Sequence, residues 1–297
     1  MKKGHASRTA EYMALFRALE SSLPAERRLF EDPLARAFLS PSLALVARLS
    51  RLPGFQELVP RLIDYRWPGA RSSAVARTRF IDDAVGAALE EQIEQFVVLG
   101  AGFDSRAYRL PVLQQTTVFE VDHPDTLRQK RSAVERALAV LPEHVRFVPT
   151  DFNQGDLEQA MAAASGGGYR QSARTFFLWE GVTHYLTEAA VDATLRWCSR
   201  AAPGSKLLFT YVERAVLEDP QSFFGTEKLF ATLAAAGEKW TWGIEPSVLP
   251  QFLAQRGLCL EQDVGAEEYR RLYWKERARR MRGYEFYRIA VARVTQR

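Results

Sequence analysis

Apolar residues follow two rhythms along this chain, and the change falls near residue 90. Before it they recur at helical spacing. Tyr12, Leu15, Phe16 and Leu19 form one stripe, which predicts a helix from a Thr9 cap through Glu20. Pro24, Pro33, Pro41, Pro53, Pro60 and Pro68 then divide the chain into short helices and turns, because proline lacks an amide proton and clashes with the preceding turn. Ser72 and Ser73 open a longer helix toward Leu89 that carries Arg77, Arg79, Asp82 and Asp83. Beyond residue 90, strand-length apolar runs take over at 96–99, 118–121, 145–148, 175–179 and 207–212. Helix-length segments at 125–141, 157–164 and 188–202 separate them. A helix over 246–256 ends at Gly257, a C′ glycine, and leads into strands at 258–262 and 286–294. Strands alternating with helices predict parallel βαβ units in a doubly wound α/β sheet of seven strands. The aromatic stretch 223–242 reads as an insertion with a helix of its own.

Composition narrows this picture without changing it. The chain has 297 residues, 47% of them hydrophobic, enough for a full-sized core. Ser165-Gly166-Gly167-Gly168 is too short for a linker and reads as a loop. We therefore expect a single domain over 1–297: a helical cap over 1–90 and a core over 91–297, with a lid insertion at about 215–245. No apolar run approaches the ~20 residues needed to span a bilayer, and no apolar core follows the basic Met1-Lys2-Lys3-Gly4-His5. A cytoplasmic protein with no membrane partner is expected, as monomer or homodimer. Cys198 and Cys259 read as two buried thiols in a reducing compartment. His5, His123, His144 and His184 show no helical pair spacing, so no metal is expected.

The net charge of +4 raises the question of nucleic acid. Arg270, Arg271, Lys275, Arg277, Arg279, Arg280 and Arg282 cluster late in the chain among tyrosines and Trp274, which could stack bases. The same spacing fits an amphipathic helix, with Tyr269, Leu272, Tyr273 and Met281 inward and the basic residues solvated. The second reading is adopted, with no nucleic-acid partner.

Candidate chemistry concentrates between Val97 and Asp122. A strand ends at Leu99, and Gly100-Ala101-Gly102-Phe103-Asp104-Ser105 turns into a helix. Two glycines permit positive φ and close approach of a ligand to the backbone. In open α/β sheets, ligands lie at the carboxyl ends of the strands. About 20 residues later the second strand ends in Glu120-Val121-Asp122, where a carboxylate can accept from ribose hydroxyls. A dinucleotide site would cradle a pyrophosphate at a helix N-terminus, usually with a third glycine. Here Ser105 occupies that third position, and Asp104 would repel a pyrophosphate. S-adenosylmethionine carries a sulfonium and an ammonium and no phosphate. The motif therefore favours the methyl donor, with an NAD-type oxidoreductase as the alternative.

The run Val97-Val98-Leu99-Gly100-Ala101-Gly102-Phe103-Asp104-Ser105-Arg106 resembles the leucine carboxyl methyltransferase family, particularly its bacterial branch. Further matches stand in the family's order: Phe30-Glu31-Asp32-Pro33-Leu34-Ala35, Arg77-Thr78-Arg79, Phe119-Glu120-Val121-Asp122-His123-Pro124, Val148-Pro149-Thr150-Asp151-Phe152 and Trp179-Glu180-Gly181-Val182-Thr183-His184-Tyr185-Leu186. The resemblance implies a class I methyltransferase fold, Rossmann-like and mostly parallel with an antiparallel last strand, under an N-terminal helical lid. It implies that Arg77 pairs with the methionyl carboxylate, with Arg79 as the rival. Gly100, Ala101 and Gly102 would face the methionyl portion, Asp122 the ribose hydroxyls with His123 beside it, Asp151 the adenine amino group and Phe152 its ring. Glu120 would bond the loop instead. A plain helix N-cap is the other reading of Asp151. Glu180 would stand near the ammonium or the transferring methyl, and Tyr185 would line the acceptor pocket.

Methyl transfer is an in-line displacement that depends on alignment more than on acid or base groups. A carboxylate acceptor is already ionised near neutral pH and needs no base. A hydroxyl acceptor would need one, and His184 is the candidate; a packing role is its other reading. Tyr12, Phe16, Tyr65, Trp67, Phe223, Phe224, Phe230, Trp240 and Trp242 are candidates to line a lid over an apolar substrate. The bacterial branch implies a small-molecule carboxylate or hydroxyl from natural-product biosynthesis, with a protein C-terminus as the remoter acceptor.

Overall fold

A computed structural model describes residues 8–164 and 168–295 of the chain. The basic N-terminal segment with His5, and residues 165–167 of the glycine loop, lie outside the described residues. Helices α1 (Arg8–Glu20), α2 (Pro41–Leu49), α3 (Phe55–Arg66) and α4 (Ala70–Glu90) come first. The core then runs β1 (Gln95–Leu99), α5 (Arg106–Arg109), β2 (Thr117–Asp122), α6 (Pro124–Leu138), β3 (Val145–Pro149), α7 (Leu157–Ala164), β4 (Thr175–Trp179), α8 (Glu188–Cys198) and β5 (Lys206–Val212). Helices α9 (Ala215–Glu218) and α10 (Thr226–Ala236) occupy the insertion, followed by α11 (Leu249–Ala254), β6 (Leu258–Val264), α12 (Ala266–Trp274) and β7 (Tyr287–Val294).

The seven strands stand in the order β3-β2-β1-β4-β5-β7-β6. β1 to β5 run parallel, and β7 is antiparallel to both β5 and β6. This is the expected sheet. Its order reverses between β1 and β4, so the connections leave in opposite directions and open a crevice at the strands' carboxyl ends. Side chains alternate across the pleat. Val97, Leu99, Phe119, Val121, Phe177 and Trp179 pack under Met161 of α7, Leu195 of α8 and Leu253 of α11. Phe96, Val98, Val118, Phe176 and Leu178 pack against Phe80, Ile81 and Val85 of α4. Cover on both faces explains why these strands read as unbroken apolar runs.

Several local expectations are corrected. Thr9 lies inside α1 rather than capping it, and its hydroxyl donates to Glu238 at 2.6 Å. Cys259 is exposed, because it sits on β6 at the sheet's edge; only Cys198 is buried. The basic segment is not one solvated helix. α12 stops at Trp274, where Lys275 takes φ 46°, and Leu272 is 58% exposed rather than inward. Arg270 is buried and pairs with Glu285 at 2.6 Å. It fits because Gly283 has no side chain: a Cβ there would fall 1.8 Å from Arg270 Nη1. The side chains of Arg277 and Arg280 lie outside the described residues. Among the described residues no helix is long and apolar enough to cross a membrane, and no three His, Cys, Asp or Glu side chains converge to hold a metal.

Below the carboxyl end of β2, Lys130 of α6 pairs with Glu120 at 2.9 Å, with both side chains buried. Removing one partner strands the other charge in the core. Lys130→Ala is expected to cost about 3–5 kcal/mol, measured by urea denaturation. A loss under ~1 kcal/mol would show that Glu120 is neutralised at little cost.

Candidate functional site

A cavity of about 800 Å³ opens at the carboxyl ends of β1, β2 and β4, within the range of small-ligand sites. Its floor begins with the glycine turn. Gly100 has φ 70°, and a Cβ on it would lie 2.2 Å from Val182 Cγ2, so close packing of the turn beside β4 demands glycine here. Gly102 also has positive φ, yet the nearest atoms to its missing Cβ are 3.8 Å away, which leaves this backbone open to a ligand. The Gly102 amide donates to Asp122 Oδ2 at 2.6 Å, and the His123 amide to Oδ1 at 2.6 Å. Asp122 is thus fixed at the end of β2, facing the cavity. Burial raises its pKa against these two bonds. Glu120 faces away, held by Lys130 and by the Tyr108 hydroxyl at 2.9 Å. It supports the loop at one remove, since Lys130 also donates to the Ala101 carbonyl at 3.2 Å.

Three further carboxylates and two arginines complete the floor. Arg77 of α4 donates to Glu180 Oε1 at 2.8 Å, and its guanidinium lies over the Tyr287 ring at 4.6 Å. Arg106 of α5 donates to Glu180 Oε2 at 2.9 Å, to Asp82 at 2.8 Å and to Asp104. Burial alone would raise Glu180 and Asp104. The paired arginines outweigh it, lowering the pKa of Glu180, and Arg106 and Lys130 bring Asp104 to about 2. Arg79 points away to Asp83 and the Leu29 carbonyl, and only Arg77 of the pair lines the cavity. Asp151 and Phe152 line the same wall, Phe152 with its ring 6.5 Å from Trp179. The N-cap reading of Asp151 is overturned, because Asp156 accepts from the Gln159 amide at 3.1 Å at the start of α7. Asp151 accepts from the Asn153 amide instead.

His184 and Tyr185 stand on a short turn after β4, tied down by the Thr183 hydroxyl on the Thr210 carbonyl at 2.7 Å. The His184 ring packs among Tyr185, Trp240 and Tyr287, and its buried Nδ1 has no hydrogen-bond partner among the described residues. Burial and the nearby Arg77 charge lower its pKa to about 3. The Tyr185 hydroxyl donates to Glu238 at 3.0 Å. The roof comes from α1, with Tyr12, Met13 and Phe16, from Trp67, and from Leu229 and Leu233 of α10. Of the aromatics expected in a lid, Tyr12, Phe16, Trp67 and Trp240 line the cavity. Tyr65 is 79% exposed, Phe223 and Phe230 pack against Phe286 and Trp240, and Phe224 stacks under Arg282. Trp242 packs on Phe252 on the opposite side of the sheet.

All eleven residues singled out in sequence (Arg77, Gly100, Ala101, Gly102, Asp122, His123, Asp151, Phe152, Glu180, His184 and Tyr185) thus line one cavity. Sequence reasoning missed Arg106, Glu238 and Tyr287. Arg106 stood inside a recognised motif, but its partners Asp82 and Glu180 lie 24 and 74 positions away, a pairing no local pattern discloses.

A sheet in this order, with a glycine turn and an acidic strand end at its switch point, is the class I methyltransferase fold. A solved protein of Streptomyces avermitilis from the DUF574 family shares it at TM-score 0.58, with 14% identity and 98% of each chain covered. A structure from Thermobifida fusca assigned as a methyltransferase shares it at TM-score 0.56, with 16% identity over 99% of this chain and 97% of that one. The family model of leucine carboxyl methyltransferase matches residues 10–199, and the chain belongs to that family. A Streptomyces coelicolor relative assigned as an S-adenosyl-L-methionine-dependent methyltransferase is 36% identical over 71% of this chain and 70% of its own length. One from Frankia alni with the same assignment is 36% identical over 77% of both.

The His184 environment has a consequence for stability. Its folded pKa lies below the ordinary value of 6.5, at about 3. Between those values the unfolded chain binds the extra proton, so stability rises with pH across that window and falls on acidification. His184→Gln is expected to flatten the pH dependence of Tm between about 3 and 6.5. An unchanged slope would mean that His184 is charged in the folded protein.

Proposed function

We propose that this chain is an S-adenosylmethionine-dependent O-methyltransferase acting on the carboxylate of a small apolar acid. The residues present fit the donor. Six carboxylates but only four lysine or arginine side chains line the cavity, and Arg77 and Arg106 are already turned to acids. Such a surface suits a sulfonium and an ammonium and repels a diphosphate, which argues against a dinucleotide. Gly102 leaves backbone open beside Asp122, where ribose hydroxyls would find an acceptor. Asp151 and Phe152 would hold the adenine, Gly100 to Gly102 and Glu180 the methionyl portion, and Arg77 its carboxylate. When bound, S-adenosylmethionine supplies an electrophilic methyl group on its sulfonium.

His184 carries the choice of acceptor. With a pKa near 3 it stays neutral at physiological pH and is a poor proton acceptor. A hydroxyl acceptor would lack its base, whereas a carboxylate arrives ionised. Neutral His184 can then hydrogen-bond the acceptor, orienting it without binding its charge so strongly that reactivity falls. Tyr12, Phe16, Trp67 and Trp240 exclude water and favour an apolar body. A small acid suits this enclosed space better than a protein C-terminus does.

Calorimetric titration with S-adenosylhomocysteine is expected to give micromolar binding. Arg77→Ala and Asp122→Ala should each weaken it more than roughly ten-fold, the loss of about one charge-assisted hydrogen bond. Absence of binding, or wild-type affinity in both variants, would sink the donor assignment. Across a panel of apolar acids and phenols, His184→Ala should slow carboxylate methylation by no more than about ten-fold, the loss of one orienting hydrogen bond, followed by mass spectrometry of the esters. Selective loss of phenol methylation would instead make His184 a base.

A further inference from the structure

The motif from Phe30 to Ala35 has no part in the chemistry above, yet its Asp32 is fully buried beside the glycine turn. Asp32 Oδ2 accepts from Arg17 Nε at 2.8 Å and from the Ser105 hydroxyl at 2.6 Å. Its Oδ1 accepts from the Leu34 and Ala35 amides at 3.1 and 3.0 Å, which fixes the carboxylate on its own turn. Arg17, from α1, uses its second arm on the Phe103 carbonyl at 2.6 Å. Phe38, just past the motif, stacks on the Phe103 ring at 5.1 Å with the planes 11° apart. Arg109 adds a second cation 4.0 Å from Asp32. The turn from Phe103 to Ser105 is therefore gripped at a carbonyl, a ring and a hydroxyl, each time by a residue that precedes the sheet: Arg17 of α1, Phe38 and Asp32. A cap that only shielded the acceptor would need none of these contacts.

We propose that Arg17 and Asp32 are positioning residues of the donor site, a buried ion pair through which the N-terminal helices set the glycine turn. The inference rests on the reading that the donor lies at Gly100–Gly102, and it goes beyond it: the cap builds the donor site as well as covering the cavity. Arg17 reaches two separate acceptors because its guanidinium spreads its donors over a rigid fork, whereas a lysine carries its donors on a single nitrogen. Burial would raise the pKa of Asp32, but Arg17, Arg109 and Ser105 together lower it, so the pair is ionic. α1 also brings Tyr12, Met13 and Phe16 to the cavity roof, so the same helix touches both ends of the site.

The test combines S-adenosylhomocysteine affinity with amide hydrogen exchange of residues 100–105 in the ligand-free protein. Arg17→Ala and Asp32→Asn are expected to raise Kd roughly ten-fold or more, as for a lost charge-assisted hydrogen bond, and to speed exchange in the turn. Arg17→Lys should recover part of both, and Ser105→Ala should give a smaller effect. Arg28→Ala, which removes a surface pair with Glu31, should change neither. If Asp32→Asn does not fold, Arg17→Ala and Ser105→Ala still decide the matter, because Asp32 keeps its backbone bonds in both. Wild-type affinity and wild-type turn exchange in folded Arg17→Ala would overturn the proposal, whatever happens to Tm. If the wild-type chain binds no S-adenosylhomocysteine, the donor reading fails by itself, and the exchange data still report on the ion pair.

Discussion

Glu180 sits at the end of β4 between Arg77 and Arg106, and this buried triad is the constraint around which the site is organised. The three side chains come from a strand end, the long helix before the sheet and the short helix after the glycine turn. Each ion, buried alone, would cost several kcal/mol. Only together, with Asp82 and Asp104 completing the partners of Arg106, do they tolerate the switch point of the sheet. The crevice is therefore pre-charged. The pKa values of Glu180 and Asp104 are lowered and the two arginines are already engaged, so a cation finds a better place there than an anion does.

The roof follows from a second economy of position. The insertion holding α10 is tied over the cavity to three other segments: Thr9 of α1 and Tyr185 after β4 both bond Glu238, and Trp67 after α3 donates to Thr232 at 3.1 Å. Their aromatic side chains make the upper half apolar while the lower half is ionic. A molecule occupying both halves must be amphipathic, or two molecules must share the space. Burial of His184 and the nearby Arg77 charge lower its pKa to about 3, so the ring is neutral near physiological pH.

Much of this was legible in the chain itself. Strand and helix alternation gave the sheet, because strands covered on both faces must be apolar throughout and helices on its surface cannot be. The glycine turn and the acid at the end of β2 were visible because positive φ and a strand terminus are local properties. The failures were local too, but in the other direction. Thr9 has the chemistry of a cap and is used at long range on Glu238. Arg270 looked solvated because arginine usually is, and only Gly283 and Glu285, brought back by the turn before β7, made room for it. Cys259 reads as a core thiol because nothing in a linear string marks β6 as the edge strand.

What the sequence alone determined, then, was the order of elements, the two glycines at the end of β1 and the set of residues gathered around them. Period, turn chemistry and residue type act over a few positions, and these features need no more. The tertiary structure decided which acid faces the cavity, Asp122 rather than Glu120, and which arginine, Arg77 rather than Arg79. It also decided that His184 is neutral and that Arg17 and Asp32 hold the glycine turn from the cap. Each of these depends on charges far apart in the chain meeting in a space where water is scarce. Their strength comes from that low-dielectric enclosure, which exists only once the chain has folded.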